Sequence, residues 1–174
     1  MDDPIRYPIG RFHLVEPTPE NRAECMRQFR EAPQLLRNAV KGLSEEQLLS
    51  RYRPEGWTLA QVVHHLAEAD ANAYPRLKYA LTKDVPEVLV ADEAAWAELA
   101  DARSPRIAAS LAMFEGIRMR WADAFEAMTP DQFDRTWKHA HFGVVTVDHL
   151  LQQYWWHARH HAAHITEHRK RMGW

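Results

Sequence analysis

Residues 146–172, TVDHLLQQYWWHARHHAAHITEHRKRM, decide how this chain is read. Thr146 is an N-cap residue, and Leu150, Tyr154, Ala158, Ala162 and Ile165 follow it at the three- and four-residue spacing of one buried helix face. Arg169, Lys170 and Arg171 close the segment where cations oppose the negative end of a helix dipole. At about 100° per residue, His157, His161, His164 and His168 lie within roughly 60° of one another on this helix. Their face adjoins the apolar stripe, so at least some of these imidazoles point into a bundle and not into water. Two histidines one turn apart can ligate one metal ion, and three pairs meet that condition: His157/His161, His160/His164 and His164/His168. All four aligned rings cannot share an ion, because His157 and His168 are about 16 Å apart along the axis.

Working toward the N-terminus, the same periodicity recurs. Ser104-Pro105 reads as an N-cap followed by proline, opening a helix through Leu111, Phe114, Ile117, Trp121 and Phe125 to about Met128. Thr58 with Gln61 is a capping box for a helix reaching about Lys83 and bent near Pro75. Thr18 caps a helix with Pro19 at its first position, kinked at Pro33 and ending near Val40. Shorter pieces fill the connections. Ser44 and Gln47 form another capping box around Leu48 and Leu49, residues 92–96 suggest a turn or two of helix, and Thr129-Pro130 starts a short turn. Residues 136–145, with Gly143, fit a small hairpin or an irregular loop. Residues 1–17, carrying Pro4, Pro8 and Pro17, are an extended lead-in lying across the surface. The expected fold is all-α: one domain over residues 1–174, a four-helix bundle with short extra helices.

Composition narrows the function. The 174 residues are 46% hydrophobic and 26% charged, enough to bury a core without disulfides and too apolar for a disordered chain. Lys and Arg number 22 against 24 Asp and Glu, and no basic block exceeds Arg169–Arg171, so a nucleic-acid partner is not expected. Cys25 is the only cysteine, which excludes an intrachain disulfide or a Cys-rich metal site and fits a reducing, cytoplasmic compartment. It reads as a bystander thiol. The acidic Met1-Asp2-Asp3-Pro4 start lacks the pattern of a signal peptide, and no run approaches about 18 apolar residues, so no membrane association is expected. GxSxG, P-loop, GxGxxG, CxxC and EF-hand patterns are absent.

Histidine is the unusual count. Eleven occur, six of them within residues 149–168. A third ligand has to come from another helix, and His64-His65 offers one; adjacent positions point about 100° apart, so only one of the two faces the site. Three neutral imidazoles with an open coordination position have the composition of a catalytic zinc site, and nitrogen ligation also suits nickel, copper or iron. His13, His139, His141, His149 and His168 read as surface or core residues, and the tryptophans as packing.

Several segments resemble the DinB/YfiT-like family of metal-dependent proteins, and its YfiT branch in particular, over nearly the whole chain. They are Tyr7-Pro8-Ile9-Gly10, Gly56-Trp57-Thr58 leading into Gln61-Val62-Val63-His64-His65-Leu66-Ala67, Asp92-Glu93-Ala94-Ala95-Trp96, Trp156-His157 through His161-Ala162-Ala163-His164-Ile165-Thr166-Glu167, and Arg171-Met172-Gly173-Trp174. The resemblance implies a four-helix bundle holding one divalent metal ion per chain, zinc or nickel, on His65, His157 and His161. It places His164 where relatives often have Gln, as a support to the ligands or a pocket wall, and makes Glu93, Asp92, Tyr74 and Arg76 candidate pocket residues. Relatives include S-transferases that use low-molecular-weight thiols such as bacillithiol or mycothiol, and metal-dependent hydrolases. The implied partners are therefore a small thiol and an electrophile, and the implied assembly is a homodimer. The competing expectations are a hydrolase using water as nucleophile, a metal-binding stress protein without turnover, and a purely structural bundle.

Overall fold

The structure, a computed structural model, describes residues 3–174; the first two residues of the expected lead-in lie outside them. Four long helices account for the architecture: α1 (Pro19–Val40), α3 (Leu59–Thr82), α5 (Ala108–Glu126) and α6 (Val147–Met172). Two short helices, α2 (Glu45–Leu48) and α4 (Glu93–Ala97), lie in the connections, with a 3-10 turn at Pro130–Asp134. Strands β1 (Thr136–His139) and β2 (Gly143–Thr146) pair antiparallel, Thr136 opposite Thr146 and His139 opposite Gly143, so residues 136–146 form a hairpin. Around the bundle the long helices follow the order α1, α6, α3, α5, each packed on its two neighbours. No helix among the described residues is long and apolar enough to cross a membrane.

Local chemistry sets most boundaries. The hydroxyls of Thr18, Ser44, Thr58 and Thr146 each accept from the backbone N–H three residues on, at 3.1–3.2 Å, satisfying donors that a helix start leaves open. The Ser44/Gln47 and Thr58/Gln61 boxes are reciprocal, and Asp92 caps α4. At the far end of α6, Gly173 turns left-handed (φ 73°) behind three cations. Helices α1 and α3 continue through Pro33 and Pro75.

Helix α5 departs from expectation. Ser104 does not cap it: the helix begins at Ala108, behind an Ile107 that makes no side-chain cap, and ends at Glu126. The Ser104 hydroxyl accepts from Arg106 N–H instead, while its carbonyl binds His64 Nε2 at 2.8 Å. That long-range bond holds the segment out of helical register.

The apolar core falls into two clusters. One gathers Phe29, Trp121, Phe125, Trp137, Leu150 and Leu151; the other gathers Leu36, Leu59, Val62, Val63, Leu66, Phe114 and Ile165. Arg118 lies between them, its guanidinium 3.9 Å from the Phe29 ring centre and 5.0 Å from that of Phe114. It pairs with Asp70, both side chains being fully buried, and donates to the Tyr154 carbonyl at 2.9 Å. This contact ties α3, α5 and α6 together at one level.

Candidate metal centre

Immediately beyond that level, α3 and α6 bring three imidazoles together. Among the described residues, only His65, His157 and His161 form a group able to hold a metal ion, with one nitrogen from each lying within 4.8 Å of the others. His65 Nε2 and His157 Nε2 are 3.1 Å apart. The ring centres lie 4.6–5.0 Å from one another, the rings edge to face. A tetrahedron built on zinc–nitrogen bonds of about 2.05 Å has edges near 3.3 Å, so the His65–His157 spacing matches that of two ligands on a small divalent cation. Without an ion the 3.1 Å contact can be an N–H···N hydrogen bond between neutral rings, and His157 Nδ1 is buried without a hydrogen-bond partner.

Backbone phase selects these rings. His64, next to His65, turns away: Nδ1 pairs with the Ser110 hydroxyl at 2.7 Å and Nε2 with the Ser104 carbonyl at 2.8 Å. On α6, His160 stacks on Trp156 and His164 on Tyr52, with ring centres 4.3 and 4.2 Å apart. His168 sits farther along, against the Ser50 hydroxyl at 3.1 Å. Of the three pairs one turn apart, only His157/His161 meets the ring from α3.

Burial pushes the His65 imidazolium down to about 4, with His164 adding to the effect. His157 and His161 are driven well below the usual imidazole range by the same desolvation and by their mutual repulsion. All three are neutral at pH 7, the state ligation requires.

His65 and His161 face a cleft of about 350 Å³ lined also by Arg6, Tyr7, Tyr52, Arg53, Trp57 and Glu93. Trp57 packs against His65 at 4.7 Å and His161 at 6.3 Å between ring centres. It is delivered by the Pro54-Glu55-Gly56 turn, where Gly56 is required: an added Cβ would come within 2.6 Å of Arg53 Cγ. Glu93 stands at the mouth. Although its residue is exposed, surrounding protein raises its carboxyl above the usual range, with Arg76 opposing. Arg76 is buried in an adjoining cavity that shares Glu93 and His65; it donates to Asn72 Oδ1 at 2.6 Å, while its Nε has no partner. Asp92 lines a further cavity with Arg76 and Glu93, in addition to capping α4.

Tyr74 does not belong to the site. It packs on Trp121, 5.8 Å between ring centres, on the other side of α3. Nine residues past His65 is half a turn out of phase, whereas Arg76, eleven past, returns to the same face. Arg6, Tyr52 and Arg53 were not evident beforehand, because they reach the cleft from segments with no periodicity and no metal-ligand spacing. Tyr7 and Trp57 sit in segments already singled out, so the motifs carried a signal for them.

A family model described as DinB superfamily matches residues 28–165. A Geobacillus thermodenitrificans protein named "Putative metal-dependent hydrolase" is 45% identical over 174 residues, spanning 99% of this chain and 98% of its own. "Putative metal-dependent hydrolase YfiT" of Bacillus subtilis is 38% identical over 172 residues, spanning 98% and 97%. A solved structure of Bacillus subtilis YfiT, described as "a probable metal-dependent hydrolase with an unusual four-helix bundle topology", matches with a TM-score of 0.95 at 37% identity, covering 99% of both chains. With full-length likeness in sequence and in the arrangement of its helices, the chain belongs to the DinB superfamily.

Proposed function

We propose that this chain is a metal-dependent enzyme in which His65, His157 and His161 hold one divalent ion, zinc or nickel, and that it transfers a low-molecular-weight thiol to a small electrophile. The observation carrying this reading is the convergence of three neutral imidazoles, two of which, His65 and His161, line an open cleft. A divalent metal there would supply a Lewis acid that lowers the pKa of a nucleophile entering its open position.

The protein's own groups supply the rest. Trp57 and Tyr52 give the cleft aromatic walls, and the Arg6 and Arg53 guanidiniums beside it attract acidic groups on a substrate. In the transfer the thiol sulfur forms a bond to the electrophilic carbon, the leaving group departs with its electron pair, and the thiol proton passes to the Glu93 carboxylate. His164 lines the cleft beside His161, and Arg76 bears on the charge of Glu93. Cys25 cannot supply the sulfur: it is buried in the core, and burial with nearby Asp148 pushes its thiol up to about 11.

The names of the relatives favour a second reading, hydrolysis with water as the nucleophile. The experiment is conjugation of monochlorobimane to bacillithiol, mycothiol or glutathione, comparing metal-loaded protein, chelated protein and His161→Ala. Metal-dependent conjugation that survives Cys25→Ser supports thiol transfer. Ester or amide hydrolysis without a thiol requirement supports the hydrolase, and inactivity in both assays with metal bound points to a metal-binding protein without turnover. We also propose a homodimer, which light scattering at micromolar concentration tests directly.

A further inference from the structure

The described part of the lead-in is held along α6. Val15 and Gln152 exchange two hydrogen bonds, Val15 N–H to Oε1 at 2.9 Å and Nε2 to the Val15 carbonyl at 3.0 Å. Phe12 packs against His149 and Trp156, and Tyr7 against His160. Gln152, Trp156, His160 and His164 are spaced four apart, a ridge beside the one that carries His157 and His161. The segment ends in a turn in which Asp3 accepts from Ile5 and Tyr7 N–H, both at 2.9 Å, and the Arg6 carbonyl meets His164 Nε2 at 3.0 Å.

That last bond has only one polarity. A carbonyl oxygen carries no proton, so His164 Nε2 is the donor. In the neutral ring Nδ1 is then bare, and it lies 3.3 Å from His161 Nδ1. His161 Nδ1 must carry the proton of that contact, which leaves Nε2 of His161 with its lone pair. The stacked Tyr52 ring holds the His164 plane, so neither nitrogen can swing away without breaking a packing contact.

We propose that the N-terminal arm is part of the metal centre: the Arg6 carbonyl sets the tautomer of His164, and His164 sets that of His161, presenting the His161 Nε2 lone pair to the ion. The inference rests on the metal-dependent reading and makes His164 a positioning residue. It also separates the two α6 ligands, because His157 Nδ1 has no partner and its ring is not locked in this way. Outer partners of this kind fix ligand orientation, and their loss typically weakens metal binding by about 10- to 100-fold.

The test reads tautomers and affinity separately. Long-range nitrogen–proton NMR on the full chain, with and without zinc, should show His164 protonated at Nε2 and His161 at Nδ1, opposite tautomers on rings one turn apart. Zinc affinity, measured by competition with a chromophoric chelator, should fall about 10- to 100-fold in His164→Leu. His164→Gln should stay within about threefold of wild type, because the amide can accept from His161 and donate to Arg6. If His164→Leu fails to fold, the wild-type tautomers and the Gln variant still decide the matter. His161 protonated at Nε2, or zinc affinity unchanged in a folded His164→Leu, overturns the proposal. Wild-type protein that takes up no zinc overturns the metal-centre assignment itself, whatever the tautomers.

Discussion

Two polar clusters lie at the junction of α3 and α6, and they are finished differently. Asp70 and Arg118 are sealed in the core, two charges in bidentate contact, with the Tyr154 carbonyl accepting a further hydrogen bond from Arg118. His65, His157 and His161, one to two turns farther along the same helices, carry no formal charge and turn their nitrogens toward one another beside a cleft. The ion pair answers most of its own hydrogen-bonding demand; the imidazoles leave theirs open to a ligand. Buried polar groups that satisfy one another hold a fold in register, whereas buried polar groups left open are where binding is to be sought.

The largest expected effect breaks the closed cluster. Asp70→Ala strands the Arg118 charge in the core and should cost about 3–5 kcal/mol in urea unfolding. Replacing both partners with apolar residues, Asp70→Leu with Arg118→Met, should restore most of that loss; a single variant within about 1 kcal/mol of wild type would mean that the pair is not sealed. The open cluster should respond in the opposite manner. His161→Ala should weaken zinc binding by more than about 100-fold, beyond the effect of losing an outer partner, and abolish the thermal shift that zinc gives the native protein. Its metal-free stability should change far less than that of Asp70→Ala.

Acid distinguishes the clusters by sign. The folded-state pKa of His65 is depressed to about 4, and those of His157 and His161 are also lowered, so the unfolded chain takes up protons first as pH falls below about 6.5. Stability contributed by these rings is full above that pH and is lost toward pH 4, by up to about 1.4 kcal/mol per pH unit for each ring. Burial pushes the Asp70 carboxyl up to about 6 against the pull of Arg118, so there the native state takes the proton first and gains stability between about 6 and 4. Metal-free protein should therefore weaken on acidification, and Asp70→Asn should steepen the loss. A flat unfolding profile from pH 7 to 4.5 would contradict the burial of the imidazoles. The smallest effect is a control: Thr58→Ala removes the cap of the helix that bears both Asp70 and His65, costing about 1 kcal/mol in thermal unfolding without changing zinc affinity.

Much of the fold was legible because it is local. Capping at Thr18, Thr58 and Thr146 is chemistry within four residues, and the long apolar periodicities identify helices before any contact is known. The α5 start was misread because Ser104 has two uses for its polar atoms, and a bond to His64, forty residues away, takes one of them. At the site, helical phase already narrows the ligands to pairs one turn apart, and the same arithmetic places Tyr74 opposite His65. Arg118 left a fainter trace: an arginine between Phe114 and Trp121 at core spacing, with no partner visible until α3 is packed beside it.

By itself the sequence determined that four long amphipathic helices would form, where most of them start, and that α6 would carry a row of imidazoles along a buried face. These follow from hydrogen bonds and side-chain phase within a turn or two. Helical phase left His64 and His65 open, and the structure brings His65, the one the resemblance implied, to His157 and His161. Tertiary structure alone decided that Asp70 finds Arg118 and that Arg6 reaches His164 across 158 positions. Each is a contact between segments whose relative placement depends on how whole helices pack, and packing is a property of the assembled core, not of any window of residues.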